Sequence, residues 1–261
     1  MSKSLDTDKL EREVKSMYRD VAESVDAAFH FETGRDLVDR LGYDPDDLEY
    51  VPDASIDSFA GVGYHFDLVE LEPGEAVLDL GTGSGYAARA LSEAAGAGRA
   101  IGFDAAPEMA RTASARTDDP AVKFVAGDFH DLPFESDSFH HCFSMDAFFF
   151  ATEPRDVLQE LLRVLRPGGT FYCGVNFYQA NHHSHEVADR LDPEMLLWSA
   201  ERYRSAFRTA GFRVAAQSHV PDTDTEIPPA DAFPTAEFDT RAEMVERYRK
   251  LGTLLTVGVV P

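Results

Sequence analysis

The segment EAVLDLGTGSGYAARALSEAAG constrains the chain more than any other. A short apolar run enters a turn with glycines at 81, 83 and 85, and a helical period follows at once. A strand that meets a helix through so tight a glycine turn is the opening βα unit of a parallel sheet, with a ligand expected above the turn. The rest of the middle of the chain agrees. RAIGFD, VKFVAG, HHCFSM and TFYCGVNF read as strands, and PEMARTASAR and EPRDVLQELLRVL as helices. In the latter, Val157, Leu158, Leu161, Leu162 and Leu165 share one face, and RPGG is expected to stop the helix. Strands alternating with helices predict an α/β fold, a Rossmann-like doubly wound sheet. FRVAAQ and TLLTVGVV are expected to close one edge, with a helix at RAEMVERYRKL between them. Residues 1–70 read as helices outside the core 71–261, and residues from about 177 to 199 as a polar, His-containing insertion.

The glycine turn poses a choice between ligands. A dinucleotide fingerprint, G-x-G-x-x-G, needs a third small residue where this chain has Tyr86. Asp79, just ahead of the turn, would repel a pyrophosphate at short range. A carboxylate there suits a ligand that brings a cation, as S-adenosylmethionine does with its ammonium and sulfonium. Asp104 ends the next strand, about twenty residues after the turn, where an acid accepts hydrogen bonds from both ribose hydroxyls; it equally suits the start of the helix at Pro107. Asp128 ends the third strand and could receive the adenine amino group, with Phe129 beside the ring.

Charge narrows the partners. The chain carries 47 acidic against 24 basic residues, a net −23, scattered along its length. Such a field repels nucleic acid and anionic membranes, and it suits the solvated surface of proteins from a high-salt cytoplasm. No apolar run has membrane-spanning length, and MSKSLDTDKL lacks signal-peptide features. A cytoplasmic protein with a small-molecule substrate is expected. Cys142 and Cys173 lie in apolar strands and are expected to be buried free thiols.

LEPGEAVLDLGTGSG, GFDAAPEM, GDFHDLPFESDSF and LLRVLRPGGTF together resemble class I S-adenosylmethionine-dependent methyltransferases. The resemblance covers roughly residues 70–175. It implies seven strands, the last antiparallel, and a cofactor site of Asp79, Gly81, Thr82, Gly83, Gly85, Asp104, Ala105, Met109, Asp128 and Phe129. It also implies that Ser144 and Met145 line the methionine side and that Tyr18, on an N-terminal helical cap, approaches the sulfonium. S-adenosylhomocysteine would be the product. Within the class, the chain is most similar to the quinone- and arsenite-type enzymes. Val62 and Asp146 stand where the arsenite group has cysteines, so arsenic chemistry is not expected. Tyr178, Asn181, Ser184 and His185 also match a Tyr-Asn-Ser-His pattern of another subgroup.

Methyl transfer is an in-line displacement that needs an aligned nucleophile and, where that nucleophile carries a proton, a base. His185 is the first candidate base; His65 and Asp146 follow, and Tyr178 could orient substrate. Phe148, Phe149 and Phe150 pack the core or face an apolar or planar acceptor. Metal is not expected at His182, His183 and His185, since neighbouring loop histidines need further ligands to share an ion. Two other readings are an NAD(P)-dependent oxidoreductase and a non-enzymatic sensor of the cofactor. The residues leave the acceptor atom and the oligomeric state open.

Overall fold

In the computed structural model, the described residues are 35, 71–96, 98–185, 195–223, 225–235 and 238–261. Tyr18, Val62, His65, the expected cap over 1–70 and part of the expected insertion lie outside them. Seven strands form one sheet, in the order β3-β2-β1-β4-β5-β7-β6. They are β1 (Ala76–Leu80), β2 (Arg99–Asp104), β3 (Val122–Ala126), β4 (Phe139–Met145), β5 (Leu165–Val175), β6 (Arg213–Val220) and β7 (Thr253–Val259). The first five run parallel. β7 is antiparallel to both neighbours, between β5 and β6. The expected architecture and the antiparallel last strand are both present.

Every residue of β1 is buried, which is why AVLDL is apolar on both faces, rather than alternating, up to Asp79 beside the turn. Helices α1 (Tyr86–Ala94), α2 (Pro107–Ala115), α3 (Pro154–Val164) and α4 (Ala200–Ala210) cover the sheet. On one face, Leu91 of α1 packs on Val77 and Phe143. On the other, Val157, Leu158 and Leu161 of α3 and Tyr203 and Phe207 of α4 meet Leu78, Cys142 and Phe171. The Phe207 ring stacks on Phe171 at 5.2 Å. A Cβ on Gly258 would come within 2.7 Å of that ring, so β7 carries glycine where the helix reaches in. α3 opens with Pro154 in its first turn and ends near Arg163, as the helix dipole favours. Arg163 donates to the carbonyls of Phe134 and Leu132 at 2.7 and 2.8 Å, pinning the β3–β4 connection. Cys142 and Cys173 are buried and unpaired.

Two segments differ from expectation. The helix does stop at Val164, but RPGG continues as part of β5. The pairing jumps from Phe139–Leu165 to His141–Thr170, so these residues bulge out of the ladder without ending it. RAEMVERYRKL is not one α-helix: a short α5 (Arg241–Val245), opened by a Thr240–Glu243 capping box, becomes a π-helix over Glu246–Leu251. No helix among the described residues is long and apolar enough to cross a membrane.

Strand order, not strand direction, reverses between β1 and β4: β2 and β3 are laid down on one side of β1, β4 and β5 on the other. In such sheets the crevice beyond the carboxyl ends at that point receives ligands.

Candidate functional site

The glycine turn leaves β1 and bends over the end of β2. The amides of Gly81 and Thr82 both donate to the Phe103 carbonyl, at 2.8 and 3.1 Å. Gly81 has φ +83°, and a Cβ on it would stand 2.1 Å from the Ala147 Cβ. Only glycine lets the turn pass the segment that follows β4. Gly83 has φ +51°, yet a Cβ there would meet nothing within 4 Å. Its surroundings are open, as a cradle for a ligand must be, and its amide donates to Asp104 Oδ2 at 2.8 Å.

Two buried carboxylates face this turn. Asp104 Oδ1 also accepts the Ala106 amide at 2.9 Å, and each oxygen keeps acceptor capacity. Burial pushes Asp104 up to about 6, against the pull of those two amides. Burial pushes Asp79 up to about 7, and the nearby Asp104 charge raises it further; the Thr82 hydroxyl, the Ala88 amide and Arg89 pull it down. Thr82 Oγ1 donates to Asp79 Oδ2 at 2.5 Å. Two acids held above their ordinary range by desolvation, beside an open glycine cradle, would gain from a cationic ligand. That donor set fits a nucleoside carrying an ammonium and a sulfonium better than one carrying a pyrophosphate.

The other residues expected at the cofactor fall into two groups. Ala105 and Met145 are partly exposed near the strand ends. Asp128 is exposed, and its Oδ1 accepts the His130 amide at 2.8 Å and contacts the His130 ring at 2.5 Å. By contrast, Met109 is 2% exposed and Ser144 wholly buried. Met109 is among the buried residues of α2, and the Ser144 hydroxyl is buried with no hydrogen-bond partner among the described residues. Phe129 is mostly buried, its ring 6.0 Å from that of Phe103, and belongs to the core.

Beyond β4 and β5, Asp146, Asn181 and Ser184 join one network, and its centre, Asn176, is not among the expected site residues. Asp146 has φ +50°. Its two oxygens accept the backbone amide and the side-chain amide of Asn176, at 2.6 and 2.9 Å. Burial raises the Asp146 pKa, while the two Asn176 donors and the Arg247 charge lower it. Each Asp146 oxygen thus holds one Asn176 donor and keeps acceptor capacity, and the pair anchors the end of β5. The Asn176 carbonyl in turn accepts from Asn181 Nδ2 and Ser184 Oγ, both at 2.7 Å, and its Oδ1 accepts from Thr253 Oγ1 at 3.1 Å. One signal could have revealed Asn176: it stands directly after β5 as Asp146 stands directly after β4.

Tyr178 is placed differently from the substrate-orienting role expected of it. Its ring is fully buried, and its hydroxyl donates to the Leu251 carbonyl at 2.9 Å. Burial pushes it up to about 12, so it ties the loop to the π-helix. His185 is half-buried, and its Nε2 is shielded from solvent with no hydrogen-bond partner among the described residues. Phe148 and Phe149 are core residues. Phe150, Phe177, Met195, Leu196 and Trp198 remain partly buried against the same cluster, and the Leu196 amide donates to the Phe149 carbonyl. An apolar, aromatic wall therefore adjoins the polar network.

Comparisons with known proteins bear on this geometry. A family model described as a methyltransferase domain matches residues 78–173, from β1 through most of β5. A Haloferax volcanii methyltransferase, solved in complex with the Trm112 methyltransferase activator, is 45% identical; the match covers 88% of this chain and 98% of that one, with a TM-score of 0.72. An arsenite methyltransferase of Halobacterium salinarum is 38% identical over 135 residues, which is 50% of this chain and 34% of that protein. The chain spans 34% to 47% of the first curated relatives it matches. A Streptomyces coelicolor geranyl diphosphate C-methyltransferase, solved with S-adenosyl-L-homocysteine, shares the fold at 13% identity and a TM-score of 0.63, each chain covered to 96%.

Proposed function

We propose that this chain, which belongs to the class I S-adenosylmethionine-dependent methyltransferases, transfers the methyl group to a small apolar or aromatic metabolite. The observation that carries this reading is the half-buried wall of Phe150, Phe177, Met195, Leu196 and Trp198 beside Asp146 and Asn176. Such a lining, with a few fixed polar groups, suits an apolar acceptor. The net charge of −23 counts against nucleic acid and fits a protein of high-salt cytoplasm. Family membership removes the NAD(P)-dependent oxidoreductase reading.

In this reading Asp104 accepts the ribose hydroxyls, Asp79 faces the ammonium, and Asp128 stands at the adenine edge. S-adenosylmethionine supplies a methyl group already attached to a good leaving group, so the protein's work is alignment and exclusion of water. The apolar wall holds the acceptor. Asp146, fixed through Asn176, sets the position of the loop that carries His185. His185 Nε2, shielded and without a partner among the described residues, takes the acceptor's proton where there is one to remove.

A second reading rests on the Haloferax relative: this chain works with a protein activator of the Trm112 kind and methylates a larger substrate. One experiment separates them. The full chain, with and without that activator, is given S-adenosylmethionine carrying a labelled methyl group. Metabolite, protein and RNA fractions of a cell extract are then counted. Label in an apolar metabolite supports the first reading. Label confined to protein or RNA overturns it. No label in any fraction, despite tight S-adenosylhomocysteine binding, favours a sensor.

A further inference from the structure

One cluster plays no part in the scheme above. Where the loop after β5 meets the first turn of the π-helix, His182, His183 and Glu246 turn their ligand atoms toward one another, all within 4.8 Å. His183 Nε2 lies 3.5 Å and His182 Nε2 3.7 Å from Glu246 Oε2. Around a tetrahedral ion with bonds of about 2.1 Å, neighbouring ligand atoms stand about 3.4 Å apart. The two separations to Glu246 therefore need to close by only a few tenths of an ångström. The two imidazole rings lie side by side, their centroids 4.1 Å apart.

A second observation points to a missing partner. His183 Nε2 is shut off from solvent and makes no hydrogen bond among the described residues. On its other side the ring meets Phe238, at 6.1 Å. The Glu246 carboxylate stands 3.5 Å from this nitrogen, too far for a good hydrogen bond, and a metal ion between them would bind both. The backbone on which the histidines sit is already fixed, because Ser184 and Asn181 are tied to the Asn176 carbonyl. His182 is exposed, which leaves a way in from solvent.

We propose that His182, His183 and Glu246 bind one divalent transition-metal ion of the zinc class, with a fourth position open to water. Two imidazoles and a carboxylate are a ligand set that prefers zinc or cobalt to magnesium or calcium, which favour all-oxygen sites. The ion clamps the loop that carries His185 to the π-helix that carries Arg247. It is independent of the identity of the methyl acceptor.

The test uses the full chain without a histidine tag, stripped of metal by a chelator and kept in high salt to suppress binding by scattered carboxylates. Zn²⁺ and Mg²⁺ are titrated by calorimetry, and Co²⁺ by its visible absorption. The expected result is one Zn²⁺ per chain, a tetrahedral Co²⁺ spectrum and no matching heat with Mg²⁺. His183→Ala and Glu246→Gln each weaken Zn²⁺ binding by about tenfold or more, while His219→Gln leaves it unchanged. Melting curves in chelator show whether each variant is folded, and Glu246→Gln, nearly isosteric, keeps the test valid should His183→Ala fail to fold. Absence of Zn²⁺ binding, equal binding of Mg²⁺, or affinity unchanged in Glu246→Gln overturns the proposal.

Discussion

Asp79 gives the sharpest test of the cofactor site. It is 2% exposed, and burial lifts its pKa from 3.8 to about 7. An ammonium placed against it restores the ionised form, so binding at lower pH must expel a proton. The free protein is about one-tenth ionised at Asp79 at pH 6 and about three-quarters ionised at pH 7.5. Affinity for S-adenosylhomocysteine should therefore rise roughly eightfold over that interval and level off above it. Asp104, pushed up to about 6, adds its own step toward the acid end. Stability of the unliganded protein runs the other way. Between about pH 4 and pH 7 the folded state holds a proton at Asp79 that the unfolded chain has released, so stability falls as pH rises. Some three pKa units set the upper bound on that loss, about 4 kcal/mol. Asp79→Asn keeps the shape and removes the titration. It should flatten this part of both profiles, leave the unliganded protein at least as stable above pH 7, and weaken binding by about 2 kcal/mol, roughly thirtyfold. Calorimetry across pH 6 to 7.5 and thermal melts measure both. Equal affinities of wild type and Asp79→Asn, with the same pH dependence, would refute the assignment.

Asp104→Ala should weaken S-adenosylhomocysteine binding more than tenfold, with circular dichroism unchanged. Gly81→Ala places a Cβ 2.1 Å from Ala147 Cβ at φ +83°; it should cost about 2 kcal/mol or more and abolish cofactor binding, read from melting temperature and calorimetry. Tyr178→Phe removes a hydrogen bond to Leu251 and should lower stability by about 1 kcal/mol without altering kcat; a large fall in kcat would restore it to the catalytic candidates. Phe207→Ala empties the stack against Phe171 and should cost about 3–5 kcal/mol in denaturant unfolding.

The strands were legible because a parallel strand covered on both faces is mostly apolar, and the acids of AVLDL and RAIGFD, Asp79 and Asp104, stand at or beside the carboxyl ends where the site opens. Helix α3 was legible from its single apolar face. RPGG misled because proline and glycine mark a helix stop and a bulge in the same letters, and only the partner strand decides between them. ERYRKL gives no hint of a π-helix, since one extra residue per turn leaves composition untouched. In the site, Asp79, Asp104 and the glycines could be read from their position at strand ends. Position alone does not say which way a side chain turns, and Ser144 and Met109, which the resemblance places at the cofactor, are as buried as Asp79. The roles of Asn176 and Tyr178 depend on acceptors far along the chain, Asp146 and Leu251, which no local pattern reveals.

The wedge of β7 between β5 and β6 has a consequence for how the molecule assembles. β6 touches the sheet through β7 alone among the described strands, although it comes earlier in the chain. β6 stays unpaired until β7 is itself in place on β5, so this edge should be the last region to gain protection from hydrogen exchange during refolding.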